Sequence, residues 1–192
     1  MTSDIVRALV PVVEALEELG VAYRVGGSVV SSALGVPRST LDVDVVCGLT
    51  ARDVEAFARR LGADFYVDVD RVREAVARRA TFNLIHLETM LKVDVFVKRA
   101  GPYDEEVFAR VTRKCLEDGT RDFDLTTAED IILRKLEWFR MGGESSERQW
   151  GDVLGVLRVQ AGSLDEEYLR RWANPVGVSD LLERALREAT QS

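Results

Sequence analysis

Leu41-Asp42-Val43-Asp44-Val45-Val46-Cys47 decides the fold class, because its first five residues alternate apolar and acidic with a period of two. On a β-strand, side chains two apart point the same way, about 6.6 Å apart along the chain. Asp42 and Asp44 therefore project together, while Leu41, Val43 and Val45 face the opposite side. Side-by-side carboxylates repel, an arrangement that makes chemical sense when a hard cation such as Mg²⁺ binds between them through oxygen. A half-exposed strand with no ligand shows the same alternation. The flanking residues narrow the choice. Upstream, an apolar strand over residues 21–25 runs into Gly26-Gly27-Ser28, which opens a helix over residues 28–34, an arrangement that presents backbone N–H groups to phosphate. Downstream, Val93-Asp94-Val95 repeats the acidic strand pattern and adds Asp94 as a third carboxylate from a neighbouring strand.

Three stretches carry a family likeness: Tyr23-Arg24-Val25-Gly26-Gly27-Ser28, Pro37-Arg38-Ser39-Thr40-Leu41-Asp42-Val43-Asp44-Val45 and Leu91-Lys92-Val93-Asp94-Val95-Phe96. Together they resemble the nucleotidyltransferase superfamily that shares its core with the family X DNA polymerases. Thr127-Ala128-Glu129-Asp130-Ile131-Ile132-Leu133-Arg134-Lys135-Leu136 and Arg148-Gln149-Trp150-Gly151-Asp152 extend the likeness to small stand-alone bacterial proteins related to the AbiEii-type nucleotidyltransferases. The resemblance implies an α+β fold, a mixed β-sheet flanked by helices, with a core over residues 1–124 and a helical C-terminal region over residues 125–192 packed on it as one structural unit.

The resemblance also implies a reaction: transfer of a nucleoside monophosphate from a nucleoside triphosphate (NTP) to an acceptor hydroxyl, with release of pyrophosphate. In that reaction Asp42, Asp44 and Asp94 are the catalytic residues and hold one or two Mg²⁺ ions. Gly26, Gly27 and Ser28 grip the phosphates, and Arg38 and Lys135 offset their charge. Asp152 carries over as a further residue of the nucleotide site, with Arg148 one helical turn away as its support or as an ordinary surface ion-pair partner. The acceptor stays open among a small molecule, a protein and tRNA. A tRNA-modifying toxin held by an antitoxin protein, and a catalytically silent nucleotide-binding scaffold, are the alternatives.

The 192 residues, 46% of them hydrophobic, suffice for one substantial core with a helical appendage. A net charge of -7 gives no global attraction to nucleic acid, and the basic run of Arg71, Arg73, Arg78 and Arg79 reads as a solvated helix face. Cys47 and Cys115 have neither disulfide-framework nor metal-binding spacing and read as free thiols. The start, Met1-Thr2-Ser3-Asp4-Ile5, lacks a basic leader, and no stretch is apolar enough for a membrane span, so a cytoplasmic location is expected.

The periodicity predicts a helix from Ser3 or Asp4 to Gly20 containing Pro11, and a helix over residues 53–61 after a Thr50 and Asp53 capping box. A strand over residues 64–67, a helix over 71–79 and a hairpin of strands over 81–87 and 92–97 follow. A short helix near Glu105 and a strand over residues 111–115 complete the predicted sheet. From Leu125 the pattern is helical: capping boxes at Thr126 and Glu129 and at Ser163 and Glu166 start two helices, with others over residues 146–160 and 179–187. Lys135 falls inside the apolar stripe of its helix, so it must either snorkel out or point into a polar site. His86, the sole histidine, shares a strand face with Phe82 and Leu84 and reads as a half-buried, hydrogen-bonded residue outside the catalytic set.

Overall fold

The stretch around Asp42 is a strand, β2 (Asp42–Cys47), in which Val43, Val45 and Cys47 are buried and the residues between them half-buried. In the computed structural model, which describes residues 3–191, β2 lies near the middle of a seven-stranded mixed sheet. The other strands are β1 (Tyr23–Gly26), β3 (Phe65–Tyr66), β4 (Thr81–His86), β5 (Lys92–Val97), β6 (Thr112–Cys115) and β7 (Asp122–Leu125), in the order β3-β4-β5-β2-β1-β7-β6. β2 runs parallel to β5 and antiparallel to β1, and β4 and β5 form the expected hairpin. Two details of the sheet differ from the sequence reading. The strand at residues 64–67 shrinks to two residues, and the sheet gains β7, whose Asp-Phe-Asp-Leu is too short for its alternation to stand out locally.

The chain divides into two compact units, and the first comprises the residues up to Gly26 and Thr40–Leu125. It contains the whole sheet with helices α1 (Asp4–Glu18), α3 (Val54–Leu61), α4 (Val69–Arg78) and α5 (Pro102–Ala109). Ser3 caps α1 by accepting from the Val6 amide, and Val6, Leu9, Val12, Val13 and Leu16 recur at helical spacing to bury one face. Each such side chain contributes about 1.5–3 kcal/mol on burial. Opposite them, Val43, Val45, Leu84, Val93 and Val95 form the apolar sheet face, and Phe57 of α3 meets Phe82 of β4 edge-on at 6.3 Å. Thr50 and Asp53 form one arm of the expected box: Asp53 Oδ2 accepts from the Thr50 amide and hydroxyl, and Asp53 makes no side-chain bond to an amide of α3. The basic helix has the solvated face expected of it, with Arg71, Arg73 and Arg78 paired to Asp68, Asp70 and Glu74.

The second unit, Gly27–Ser39 with the residues from Thr126 onward, contains α2 (Gly27–Leu34), α6 (Ala128–Met141), α7 (Glu147–Val159), α8 (Glu166–Val176) and α9 (Ser179–Thr190). The caps sit one or two residues beyond the predicted boxes: Thr127 caps α6 through the Asp130 amide, and Asp165 caps α8 through the Tyr168 amide. In each case the accepting oxygen lies three residues before the amide it caps, and the register of the helix decides which of the neighbouring candidates qualifies. The Thr-Ala-Glu-Asp motif thereby acquires a structural role. The fully buried Asp130 accepts from the Thr127 and Tyr168 hydroxyls, and Glu129 accepts from the Asp165 amide, fixing α8 to the start of α6.

Helices α2 and α7 approach closely because glycines face each other. A Cβ on Gly35 would lie 2.8 Å from the Val156 nitrogen and 2.9 Å from the Gly155 carbonyl carbon, both backbone atoms that cannot rotate away. Gly35→Ala should therefore cost about 1–3 kcal/mol through forced separation of the two helices. Urea unfolding measures this, and a loss below about 0.5 kcal/mol, the ordinary scatter of surface substitutions, would show that the contact yields freely.

Candidate active site

The period-two rule and the strand register together build an acidic face in the first unit. Asp42 lies beside Lys92, and Asp44 lies between Gly26 on one neighbouring strand and Asp94 on the other. Asn83 is the partner of Asp94 across the hairpin. Since Val43, Val93 and Val95 take the buried side, Asp42, Asp44, Lys92, Asp94 and Asn83 share the opposite one. The three predicted carboxylates are thus gathered on adjacent strands, which lie about 4.8 Å apart.

These carboxylates already have hydrogen-bond donors. Lys92 Nζ donates to Asp94 Oδ2 at 2.6 Å, the Asn83 amide donates to Asp94 Oδ1, and the Thr40 hydroxyl donates to Asp42 Oδ1 at 2.7 Å. The hydrogen bond to Asp94, followed by the charges of Asp94, Asp42 and Asp44, holds Lys92 above the usual lysine range. Among the described residues, no three His, Cys, Asp or Glu side chains converge as a ready-made metal cage.

In the second unit, Gly27 opens α2 with φ +60°, a left-handed conformation that favours glycine at the turn directly after β1. The next residue, Ser28, accepts from Arg38 through its hydroxyl at 2.6 Å. Arg38 also clamps Asp152 bidentately, with both N–O distances 2.7 Å, and Lys135 donates to the same carboxylate at 2.7 Å and to Gln149 at 3.2 Å. The Asp152 and Lys135 side chains are each only 6% exposed. Lys135 thus points into a polar site rather than snorkelling. Asp152 takes Arg38 and Lys135 in place of the surface pair with Arg148 that one-turn spacing suggested. Burial alone would raise the Asp152 carboxyl, but hydrogen bonds from Arg38 and Lys135, and their charges, hold it below the usual carboxylate range. Two cations sharing one carboxylate leave a net positive charge beside Ser28 at the start of α2, where the helix dipole also favours anions.

Solved structures of other proteins share this architecture. The solution structure of the antibiotic-resistance factor ANT(2'')-Ia matches with a TM-score of 0.57 at 14% identity, over 96% of this chain and 98% of that one. The crystal structure of ANT(2")-Ia in complex with adenylyl-2"-tobramycin matches at 0.59 and 15% identity, over 91% and 97%. An antigenic nucleotidyltransferase-like protein from Paracoccidioides brasiliensis matches at 0.52 and 19% identity, over 97% and 94%. The fold is a nucleotidyltransferase fold. At these identities the likeness is one of fold, and no protein-family model and no curated protein matches the chain.

Of the residues singled out in the sequence, Asp42, Asp44, Asp94 and Gly26 meet on the acidic face, while Ser28, Arg38, Lys135 and Asp152 form one network in the second unit. Sequence reasoning missed Lys92, Asn83 and Gln149 as neighbours of these groups. Lys92 was within reach of the rule already applied to Asp42 and Asp44, since it stands two residues before Asp94 on one strand. Asn83 and Gln149 carried no such signal, because their partners lie on other elements. His86 is structural: its Nδ1 meets the Thr89 hydroxyl at 2.8 Å and its ring lies 5.0 Å from Phe65. Cys47 is fully buried, which pushes its thiol up to about 12 and removes it as a nucleophile. Among the described residues, no helix is long and apolar enough to cross a membrane.

Proposed function

We propose that the protein is a metal-dependent nucleotidyltransferase that moves a nucleoside monophosphate from an NTP to an acceptor hydroxyl. The observation that carries this reading is the set of three carboxylates, Asp42, Asp44 and Asp94, on one face of adjacent strands in a nucleotidyltransferase fold. An all-oxygen donor set suits a hard divalent cation such as Mg²⁺ and does not suit metals that seek thiolate or imidazole. Asp42, Asp44 and Asp94 would hold one or two such ions. When bound, Mg²⁺ supplies charge neutralisation for the triphosphate and so favours in-line attack at the α-phosphorus.

The chain's own groups do the rest. The acceptor oxygen bonds to the α-phosphorus as the bond to the α,β-bridging oxygen breaks and pyrophosphate leaves. Asp94 receives the acceptor's proton. Gly26 and Gly27 bring the backbone close to the phosphates, and Ser28 binds them through its amide and hydroxyl. Arg38 and Lys135, oriented by Asp152, compensate the charge of the pyrophosphate group. ANT(2")-Ia in complex with adenylyl-2"-tobramycin shares the fold over nearly the whole of both chains, and a net charge of -7 disfavours a polyanionic acceptor. A small-molecule hydroxyl is therefore the preferred acceptor class.

Calorimetry with ATP, CTP, GTP and UTP should show Mg²⁺-dependent binding of at least one, and no binding at millimolar concentration would reject the enzyme reading. Incubation with α-labelled NTP and pools of metabolites, protein or total RNA should then label a small molecule. Label chiefly on tRNA 3′ ends, with growth arrest on expression, would instead mark a toxin whose partner is an antitoxin protein. Nucleotide binding without transfer to any acceptor would mark a silent scaffold.

A further inference from the structure

Lys92 has no role in the mechanism above, yet it stands among all three carboxylates that the mechanism uses. The register places it beside Asp42, its side chain shares a face with Asp94 two residues on, and its ammonium is 2.6 Å from Asp94 Oδ2. Asn83 donates to the other Asp94 oxygen, so a cation approaching Asp94 meets a donor on each oxygen, while Thr40 donates to Asp42 Oδ1. Asp42, Asp44 and Asp94 bring three negative charges, and Lys92 brings one positive charge among them. We propose that Lys92 is a tethered counter-cation, which a divalent ion must displace from Asp94 and which thereby sets how tightly this chain takes metal. The proposal rests on the reading that the acidic face binds a divalent ion.

Two features suit the role. A lysine ammonium is a compact charge on a flexible stem, and the Lys92 side chain is 48% exposed, so it can swing into water at little cost once a stronger cation arrives. Until then it relieves the mutual repulsion of Asp42, Asp44 and Asp94, which would otherwise weaken the metal-free fold. An asparagine or glutamine in its place would provide a donor but no charge, and would not oppose a metal ion.

The test is Mn²⁺ binding without nucleotide, followed by the paramagnetic resonance of free Mn²⁺, together with thermal melts in EDTA. Wild type, Lys92→Met and Lys92→Arg are compared as full-length chains. Lys92→Met should bind Mn²⁺ roughly tenfold or more tightly than wild type, because a cation a few ångströms away no longer opposes it. It should also melt lower in EDTA and recover with Mn²⁺, whereas Lys92→Arg should stay near wild type in both measurements. Equal Mn²⁺ affinity in wild type and Lys92→Met would overturn the counter-cation role and leave the metal reading standing. Absence of Mn²⁺ binding in both proteins would overturn the two together.

Discussion

In the proposed reaction, Asp44→Asn should lower the rate of nucleotidyl transfer about a thousandfold or more, which corresponds to about 4 kcal/mol of lost transition-state stabilisation. Asp44 is the central carboxylate of the acidic face, with Gly26 on one side and Asp94 on the other, and the proposed metal site uses it together with Asp94 on the adjacent strand. An amide keeps the shape but removes the charge that attracts a hard cation. The same substitution removes one of three neighbouring negative charges, so the melting temperature in EDTA should be unchanged or raised. Activity and melting measured on one preparation separate the two effects. Retained transfer would remove Asp44 from the catalytic set, and a marked fall in melting temperature would make it a structural residue.

Asp152→Ala should act in the opposite sense, costing about 3–5 kcal/mol of stability, because it leaves Lys135 buried and Arg38 part-buried without their shared carboxylate. Most of that cost is the desolvation of the abandoned charge. Removing the cation as well should therefore recover much of it, and Asp152→Ala combined with Lys135→Met should be more stable than Asp152→Ala alone. Urea unfolding of the two single variants and the double variant completes the cycle. If Asp152→Ala unfolds like wild type, the network does not organise the second unit.

The network also has a pH signature. The Asp152 carboxyl lies below the usual carboxylate range when folded, so its contribution is complete above an unfolded value of about 3.9 and disappears as pH falls through the depressed value. Stability from this source should therefore be flat across neutral pH and fall only in acid. Asp152→Asn should flatten the acid limb relative to wild type in melts between roughly pH 2 and 5.

The acidic face was the most legible part of the site because it obeys a local rule. Alternation over five residues places Asp42 and Asp44 on one side of a strand, and any β2 in any sheet would keep them together. The hairpin of β4 and β5, the glycine turn at Gly27 and the helical character of the chain after Leu125 were legible for similar reasons, since turn chemistry and periodicity act over fewer than ten residues. β7 was hidden because four residues carry too little pattern, and the caps of α6 and α8 were misplaced because neighbouring hydroxyl and carboxylate residues compete for one position.

By itself, then, the sequence determined which residues share a strand face or a helix stripe: Asp42 with Asp44, Lys92 with Asp94, and Lys135 among apolar neighbours. Only the tertiary structure decided which of these sets meet. Parallel pairing of β2 with β5 puts Asp44 beside Asp94 and Lys92 beside Asp42, with burial of Val43, Val45, Val93 and Val95 holding all four on the opposite face. Asp152 and Arg38 are 114 residues apart in the chain and are joined because Gly35 and Gly155 let α2 and α7 approach to backbone contact. Periodicity reports the direction of a side chain relative to its own element. The partner it finds depends on how apolar faces from distant segments are buried together, which no local pattern records.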